Sequence, residues 1–126
     1  MALDIKVTKK SHYVYLVELK GSIDADGHEQ LESELKEIID EKTKAVILDM
    51  AEVSYISSIG IRVVIWAKKT LKATNANFAM INLQPPIKKV FDMMKILPMF
   101  DIFDDTAEAD KYIDEIIKGE AEKQSI

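Results

Sequence analysis

The middle of the chain places two adjacent serines between a buried strand and a helix. Residues 45–49 form a short, continuous apolar run, which is typical of a strand buried on both faces. From Ile59 to about Thr74 there is no proline, and the apolar side chains recur at helical spacing. Ser57 and Ser58 fall where this helix begins. The two serines therefore lie in the connection between a predicted strand and a predicted helix.

Serine is a preferred residue at a helix start because its hydroxyl oxygen accepts a hydrogen bond from a free backbone N–H. These N–H groups and the positive end of the helix dipole also tolerate negative charge. A phosphate on either serine would add about two negative charges at a modest cost to the fold. Ser57 and Ser58 are therefore candidates for a signalling phosphorylation site.

A catalytic role for these serines has little support in the sequence. A hydrolase elbow follows the pattern G-x-S-x-G, and Ile56 stands where the first glycine would be. A base would have to be His12, predicted in a hairpin turn, or His28, predicted in the first turn of an exposed helix. Cysteine, a G-x-G grouping and a metal-ligand pattern are absent from the sequence. We expect no enzyme activity, no metal and no cofactor.

Length and charge restrict the class of partner. The 126 residues suit one domain, which we place at 1–119, followed by a flexible tail at 120–126. The net charge of −5 disfavours nucleic acid, although two predicted helices carry clustered cations: Arg62, Lys68, Lys69, Lys72, Lys88 and Lys89. No apolar run approaches the roughly 20 residues that span a bilayer, and no secretory segment follows Met1. We expect a cytoplasmic protein without a membrane partner, as a monomer or weak dimer.

Strands and helices alternate along the chain, which predicts a largely parallel sheet of four to five strands with about four helices. The predicted strands are residues 5–8, 13–19, 45–49, 78–83 and a brief edge strand at 102–103. The predicted helices are residues 26–41, 59–74, one from Pro85 to Pro98 and one from Asp105 or Thr106 to Gly119. Gly21 is predicted to break the second strand, and Asp26 with Glu29 resembles a capping box.

The helix after the serines has two distinct sides. At 100° per residue, the side expected against the sheet holds Ile59, Gly60, Val63, Val64, Ala67 and Leu71. Gly60 on this side would let helix and sheet approach closely. The opposite side holds Arg62 and lysines, with Ile61 and Ile65 projecting among them. These isoleucines form either a protein-binding patch or a surface covered by another helix.

Three segments together resemble the STAS family, specifically the bacterial anti-sigma factor antagonists. They are residues 21–24 (GSID), residues 46–50 with 53–62 (VILDM and VSYISSIGIR), and residues 82–91 (NLQPPIKKVF). The resemblance runs in consistent order over about residues 4–118. It implies the STAS fold, which is a mixed sheet flanked by helices.

The resemblance also implies a phosphorylation switch. The unphosphorylated antagonist binds an anti-sigma factor that is also a serine kinase, and this binding releases the sigma factor. The kinase then phosphorylates a serine at the start of the second helix, and a metal-dependent serine phosphatase reverses this step. Ser58 aligns with the acceptor, with Ser57 as the less favoured alternative. The partner-binding residues expected around it are Asp24, Ser57, Gly60, Ile61, Arg62 and Ile65.

Two positions depart from the family motif D-S-[ST]-G. Ser57 replaces the aspartate, and Ile59 replaces the second hydroxyl residue, but both changes leave an acceptor at Ser58. STAS domains also serve as accessory subunits of lipid or anion transporters and as parts of larger signalling assemblies. That role is the alternative to a sigma-factor regulator.

Overall fold

The computed structural model describes residues 3–11 and 13–124. Within these residues, five strands form one sheet, and four α-helices and a short 3₁₀ turn (Leu97–Met99) accompany it. The strands are β1 (Asp4–Ser11), β2 (Val14–Ile23), β3 (Ala45–Ile56), β4 (Asn77–Ile81) and β5 (Asp101–Phe103). The helices are α1 (Gly27–Ile38), α2 (Ser58–Ala73), α3 (Pro85–Met93) and α4 (Thr106–Gln124).

The sheet has the strand order β1-β2-β3-β4-β5. β1 is antiparallel to β2, whereas β2, β3, β4 and β5 are parallel neighbours. Helices α1, α2 and α3 lie in the connections between the parallel strands. The predicted α/β fold with a mixed, largely parallel sheet is confirmed, and so is the edge strand at residues 102–103.

Alternating residues of β3 belong to two apolar layers, one on each face of the sheet. Val46 and Leu48 pack in the same cluster as the buried residues of α1, α2 and α3. Ile47 packs on the other face with Ala109 and Ile113 of α4. Because side chains alternate along a strand, a strand covered by helices on both faces must be apolar throughout its covered length.

A partly buried tyrosine hydroxyl connects helix α4 to the edge strand β5, and an aspartate caps the start of the helix. The Tyr112 hydroxyl donates to Asp101 Oδ2 at 2.6 Å, and burial together with this carboxylate raises the pKa of Tyr112. Asp105 Oδ1 accepts a hydrogen bond from Glu108 N at 2.9 Å, so Asp105, rather than the alternative Thr106, caps α4.

Glycine does not end the elements where we predicted that it would. β2 continues through Gly21 to Ile23, because Gly21 adopts a φ of 120° beside a register shift between β2 and β3. α4 continues past Gly119 to Gln124. A helical glycine costs only about 1 kcal/mol relative to alanine, and helix-forming residues follow it. The division at residue 119 stays a prediction, and the last two residues lie outside the described part of the chain.

Two helices are shorter than predicted. α1 ends at Ile38 rather than residue 41, and α3 ends at Met93, well before Pro98. Lys95 follows α3 with a φ of 59°, a left-handed conformation that ends the helical path before the proline is reached.

Candidate functional site

Helices α1 and α2 both begin beside the end of β2. Ile23 of β2 is the parallel partner of Ile56, the last residue of β3. Ser57 follows Ile56, and its backbone N–H donates to the Ile23 carbonyl at 2.9 Å. Asp24 follows Ile23, and its carbonyl accepts a hydrogen bond from His28 N at 3.0 Å. Because neighbouring parallel strands end at the same edge, two helix N-termini meet there.

Ser57 is the N-cap of α2, and both functions of its hydroxyl are in use. Its Oγ accepts a hydrogen bond from Gly60 N at 3.1 Å and donates one to the Ile23 carbonyl at 3.2 Å. Its backbone is extended, with φ −88° and ψ 169°, as an N-cap requires. The predicted role of serine as a helix cap is therefore confirmed at Ser57.

Ser58 is the first residue of α2 and differs from its neighbour in its surroundings. Its side chain is exposed, and no residue in the described part of the chain hydrogen-bonds its hydroxyl. The hydroxyl therefore faces solvent at the positive end of a 16-residue helix. An added phosphate would meet no packed side chain to displace.

Asp24, rather than Asp26, caps the start of α1. Its Oδ1 accepts hydrogen bonds from Gly27 N at 2.9 Å and Asp26 N at 3.0 Å. These two bonds lower the pKa of the Asp24 carboxyl below its usual 3.8, and the bond from Gly27 has the larger effect. The predicted capping box of Asp26 and Glu29 is wrong. The Asp26 backbone is already helical and its side chain makes no cap hydrogen bond.

Glycine at each helix start lets a β2 carbonyl approach the helix. A Cβ on Gly60 would lie 2.6 Å from the Ile23 carbonyl oxygen and 2.7 Å from Ile23 Cγ2. A Cβ on Gly27 would lie 2.6 Å from the Ser22 carbonyl oxygen. Real Cβ atoms do not come this close to other atoms, so the predicted packing reason for Gly60 is confirmed.

The first turn of α2 reverses our prediction for two isoleucines. Ile61 is buried with 3% of its surface exposed, whereas Ile59 is 40% exposed. Both lie 100° from Gly60, on opposite sides of it, so the helical period alone cannot separate them. Ile65 is half-buried and packs against the core. The predictions that Ile61 projects from the surface and that Ile59 lies in the core are therefore wrong.

The remaining sheet-facing residues of α2 are as predicted. Gly60, Val63, Val64, Ala67 and Leu71 are buried. Arg62 is exposed on the opposite side, near Ser58. The structure therefore brings together, at one end of the sheet, four of the predicted site residues with solvent-accessible side chains: Asp24, Ser57, Ser58 and Arg62. Ile65 lies about two turns farther along α2.

Sequence reasoning missed Tyr55, which is 54% exposed two residues before the N-cap. The end of β3 does not alternate strictly, because Ser54 and Tyr55 are both exposed between the buried Val53 and Ile56. The register between β2 and β3 shifts at this point. Period-two alternation could not have identified this side chain, because the shift interrupts the period.

A shallow groove between α1 and α2 adjoins Ser58. Its lining includes His28 and Glu32 of α1 and Ile59, Arg62 and Trp66 of α2. The His28 ring nitrogen Nδ1 lies 3.1 Å from the Asp24 carbonyl oxygen and is not hydrogen-bonded to either serine hydroxyl.

Other site classes find no support in the described residues. His12, the second histidine that we considered as a base, lies outside them. Residues 3–11 and 13–124 contain no group of three His, Cys, Asp or Glu side chains that could hold a metal ion. In the same part of the chain, no helix combines the length and apolar character needed to cross a membrane.

Comparison with known proteins yields one consistent family. A sequence model of the STAS domain matches residues 5–109. The chain is 33% identical over 84 residues to BtrV of Bordetella bronchiseptica, which carries the name of an anti-sigma factor antagonist. The match covers 67% of this chain and 72% of BtrV.

Solved structures show the same fold at lower identity. The anti-sigma factor antagonist SpoIIAA in its unphosphorylated form superposes with a TM-score of 0.76 at 21% identity, over 91% of this chain and 97% of SpoIIAA. A sulfate transporter family protein from Wolinella succinogenes superposes with a TM-score of 0.70 at 16% identity, over 83% of this chain and 88% of that protein. Since the STAS sequence model matches residues 5–109, which is most of the chain, this protein belongs to the STAS domain family.

Proposed function

We propose that this protein is an anti-sigma factor antagonist that is switched off by phosphorylation of Ser58. The main support for this proposal is the difference between the two adjacent serines. The Ser57 hydroxyl is engaged by Ile23 and Gly60, whereas the Ser58 hydroxyl is exposed and has no partner in the described part of the chain. A kinase can reach Ser58 without disturbing the helix cap.

The named relatives support the general role. BtrV, at 33% identity over 84 residues, carries the name of an anti-sigma factor antagonist, and so does a Paenibacillus polymyxa protein that is 21% identical over 104 residues. By this proposal, the partner is an anti-sigma factor with serine kinase activity. A serine phosphatase resets the switch, and the antagonist itself performs no chemistry.

The phosphate acts on the complex rather than on the fold. The N-terminus of α2 offers free N–H groups and a favourable dipole, so the modified helix stays formed. A dianion at an interface must be desolvated or must face the partner's own charges, and either costs binding free energy. Asp24, ionised at the same end of the sheet, adds to the negative charge that the partner would meet.

The residues proposed for partner binding divide by exposure. Arg62 is exposed, and Asp24, Ser57 and Ile65 are partly accessible, so each can touch a partner. Gly60 and Ile61 are buried, so we assign them to holding the start of α2 in place. Ile59 and Tyr55 are exposed beside Ser58 and join the proposed contact surface.

The test is phosphorylation in a lysate of the source cells with Mg²⁺-ATP, followed by intact-mass measurement of the repurified protein. The wild-type chain should gain the mass of one phosphoryl group, and Ser58→Ala should gain none. Ser57→Ala is the matched control, because it removes the neighbouring hydroxyl and should still be modified. Modification of Ser58→Ala to the wild-type extent would contradict Ser58 as the acceptor.

The transporter role makes a different prediction in the same experiment. The chain would then copurify with subunits of a lipid or anion transporter, and its mass would not change with ATP. That result would reject the antagonist proposal and leave Ser58 as the first residue of a helix without a regulatory role.

A further inference from the structure

The outward face of α2 carries three exposed cations along a line that begins at the proposed phosphorylation site. Starting from Ser58, the residues at i+4, i+7, i+11 and i+14 share one side of the helix. We call these four residues the basic stripe: Arg62, Ile65, Lys69 and Lys72. Arg62, Lys69 and Lys72 are exposed, and Ile65 is half-buried between them. At 1.5 Å per residue, the stripe and Ser58 together span about 21 Å.

The charge of α2 contrasts with that of the whole chain. The helix contains Arg62 and three lysines but no acidic residue, although the protein carries a net charge of −5. Elsewhere in the described residues, Lys10 pairs with Asp110 and Lys36 pairs with Glu32. No cation of the basic stripe pairs with a carboxylate of the described chain.

Lys69 and Lys72 stand three residues apart, and like charges at this spacing repel one another and slightly destabilise an isolated helix. An acidic partner would remove this repulsion and would be drawn to the stripe over several ångströms in solution. We propose that the basic stripe docks an acidic surface of the partner protein. This inference rests on the proposed function and extends the contact surface about four turns beyond Ser58.

A protein partner suits the basic stripe better than a nucleic acid does. A polyanion approaching this chain would meet a net charge of −5, and three exposed cations neutralise few phosphates. Ile65 in the middle of the stripe offers an apolar contact, which suits a protein surface with an acidic rim.

The location of the stripe explains how one phosphate can weaken a long interface. A phosphate on Ser58 stands four residues before Arg62, the favourable arrangement of an anion followed by a cation at i and i+4. It would occupy the Arg62 guanidinium and present its remaining charge to the acidic partner. One modification would thus remove an attraction and add a repulsion at the same end of the stripe.

The experiment begins with the partner that the tagged wild-type chain captures from a lysate of the source cells and that Ser58→Asp fails to capture. This protein is purified, and its Kd is measured by calorimetry for each variant over a series of NaCl concentrations. The double variant Lys69→Glu with Lys72→Glu should bind at least about tenfold more weakly, which corresponds to 1.4 kcal/mol. The Kd of this double variant should also change less with NaCl concentration than the Kd of wild type does.

A matched control keeps the change in net charge the same. Lys111→Glu with Lys118→Glu reverses two exposed lysines of α4, on the opposite face of the sheet, and should change Kd by less than about twofold. Melting temperatures of both double variants establish that they are folded.

Equal weakening by the two double variants would mean that net charge alone matters, and it would overturn the proposal. If binding is weakened by Ser58→Asp but not by the stripe variant, the basic stripe is not a docking surface, and the proposed function still stands. Stripe-dependent binding of a 20-base-pair DNA duplex in place of a protein would assign the stripe to nucleic acid. Capture of no protein at all would reject both proposals.

Discussion

The starts of α1 and α2 solve the same structural problem with different chemistry. Each helix begins beside the end of β2, and each has a glycine whose absent side chain makes room for a β2 carbonyl oxygen. α1 is capped by a carboxylate, Asp24, whose pKa is lowered by the N–H groups that it accepts. α2 is capped by the neutral hydroxyl of Ser57.

The difference explains where a charge can be regulated. The start of α1 carries a permanent negative charge, because an aspartate is ionised at neutral pH and the hydrogen bonds to Asp24 lower its pKa further. The start of α2 also has free backbone N–H groups and the positive end of a helix dipole, but it has no acidic residue in its first turn, and Ser58 follows the cap with an exposed hydroxyl. Of the two helix starts, only that of α2 has an exposed serine as its first residue and can gain charge by phosphorylation.

Gly60→Ala should produce the largest effect on stability. The new Cβ would press on both the carbonyl oxygen and Cγ2 of Ile23, a fully buried residue that cannot move away. We expect a loss of about 1–3 kcal/mol in the free energy of unfolding, measured by chemical denaturation. Gly27→Ala should cost less, because only one atom lies within 3.0 Å of its new Cβ. The reverse order would mean that the start of α1 is the more tightly packed of the two.

Ser57→Ala should have the next largest effect. The substitution removes the hydroxyl that accepts a hydrogen bond from Gly60 N and donates one to the Ile23 carbonyl. The hydrogen bond from the backbone N–H of residue 57 to the Ile23 carbonyl can still form. Loss of an N-cap costs about 1 kcal/mol, which thermal unfolding can resolve. Ser58→Ala is the matched comparison and should lower stability by no more than a few tenths of a kcal/mol. Equal losses would contradict the different roles assigned to the two serines.

Asp24→Asn should have a smaller, pH-dependent effect, because an asparagine oxygen can still accept the bonds from Gly27 and Asp26. Since the folded-state pKa of Asp24 lies below 3.8, the carboxylate stabilises the fold above that pH. This contribution is lost as the pH falls through the lowered pKa. The stability difference between wild type and Asp24→Asn should therefore be constant near neutral pH and shrink below about pH 4. A difference that grows on acidification would contradict the lowered pKa.

Ser58→Asp should have the smallest effect on stability and a large effect on binding. An acidic residue in the first turn of a helix is favourable by a few tenths of a kcal/mol, so the melting temperature should stay near that of wild type. Capture of the partner should nevertheless be lost. A large fall in melting temperature would mean that Ser58 contributes to the fold itself.

The general fold and the location of the site could be predicted from sequence because they follow from local patterns. The apolar run of β3, the helical spacing of α2 and the paired prolines at the start of α3 each identify an element without knowledge of its neighbours. The errors cluster at ends of elements. Gly21 and Gly119 are local breaking signals that sheet pairing and the remaining helix override.

The roles of the two serines and of two isoleucines needed the packed structure. Both serines suit a helix start, and only the position of the Ile23 carbonyl makes Ser57 the cap. Ile59 and Ile61 are equivalent on a helical wheel. Which of them is buried depends on how the first turn of α2 sits against its neighbours.

The sequence by itself determined the alternation of strands and helices, the absence of thiol chemistry, the cations of α2 and a serine pair at a helix start. Each of these depends on the identity and spacing of residues that are near in the chain. The tertiary structure decided that Asp24, Ser57 and Ser58 meet at one end of the sheet, and that Ser58 is the serine left exposed. That outcome requires contacts between residues more than 30 positions apart, which the pairing of β2 with β3 creates and no local pattern encodes.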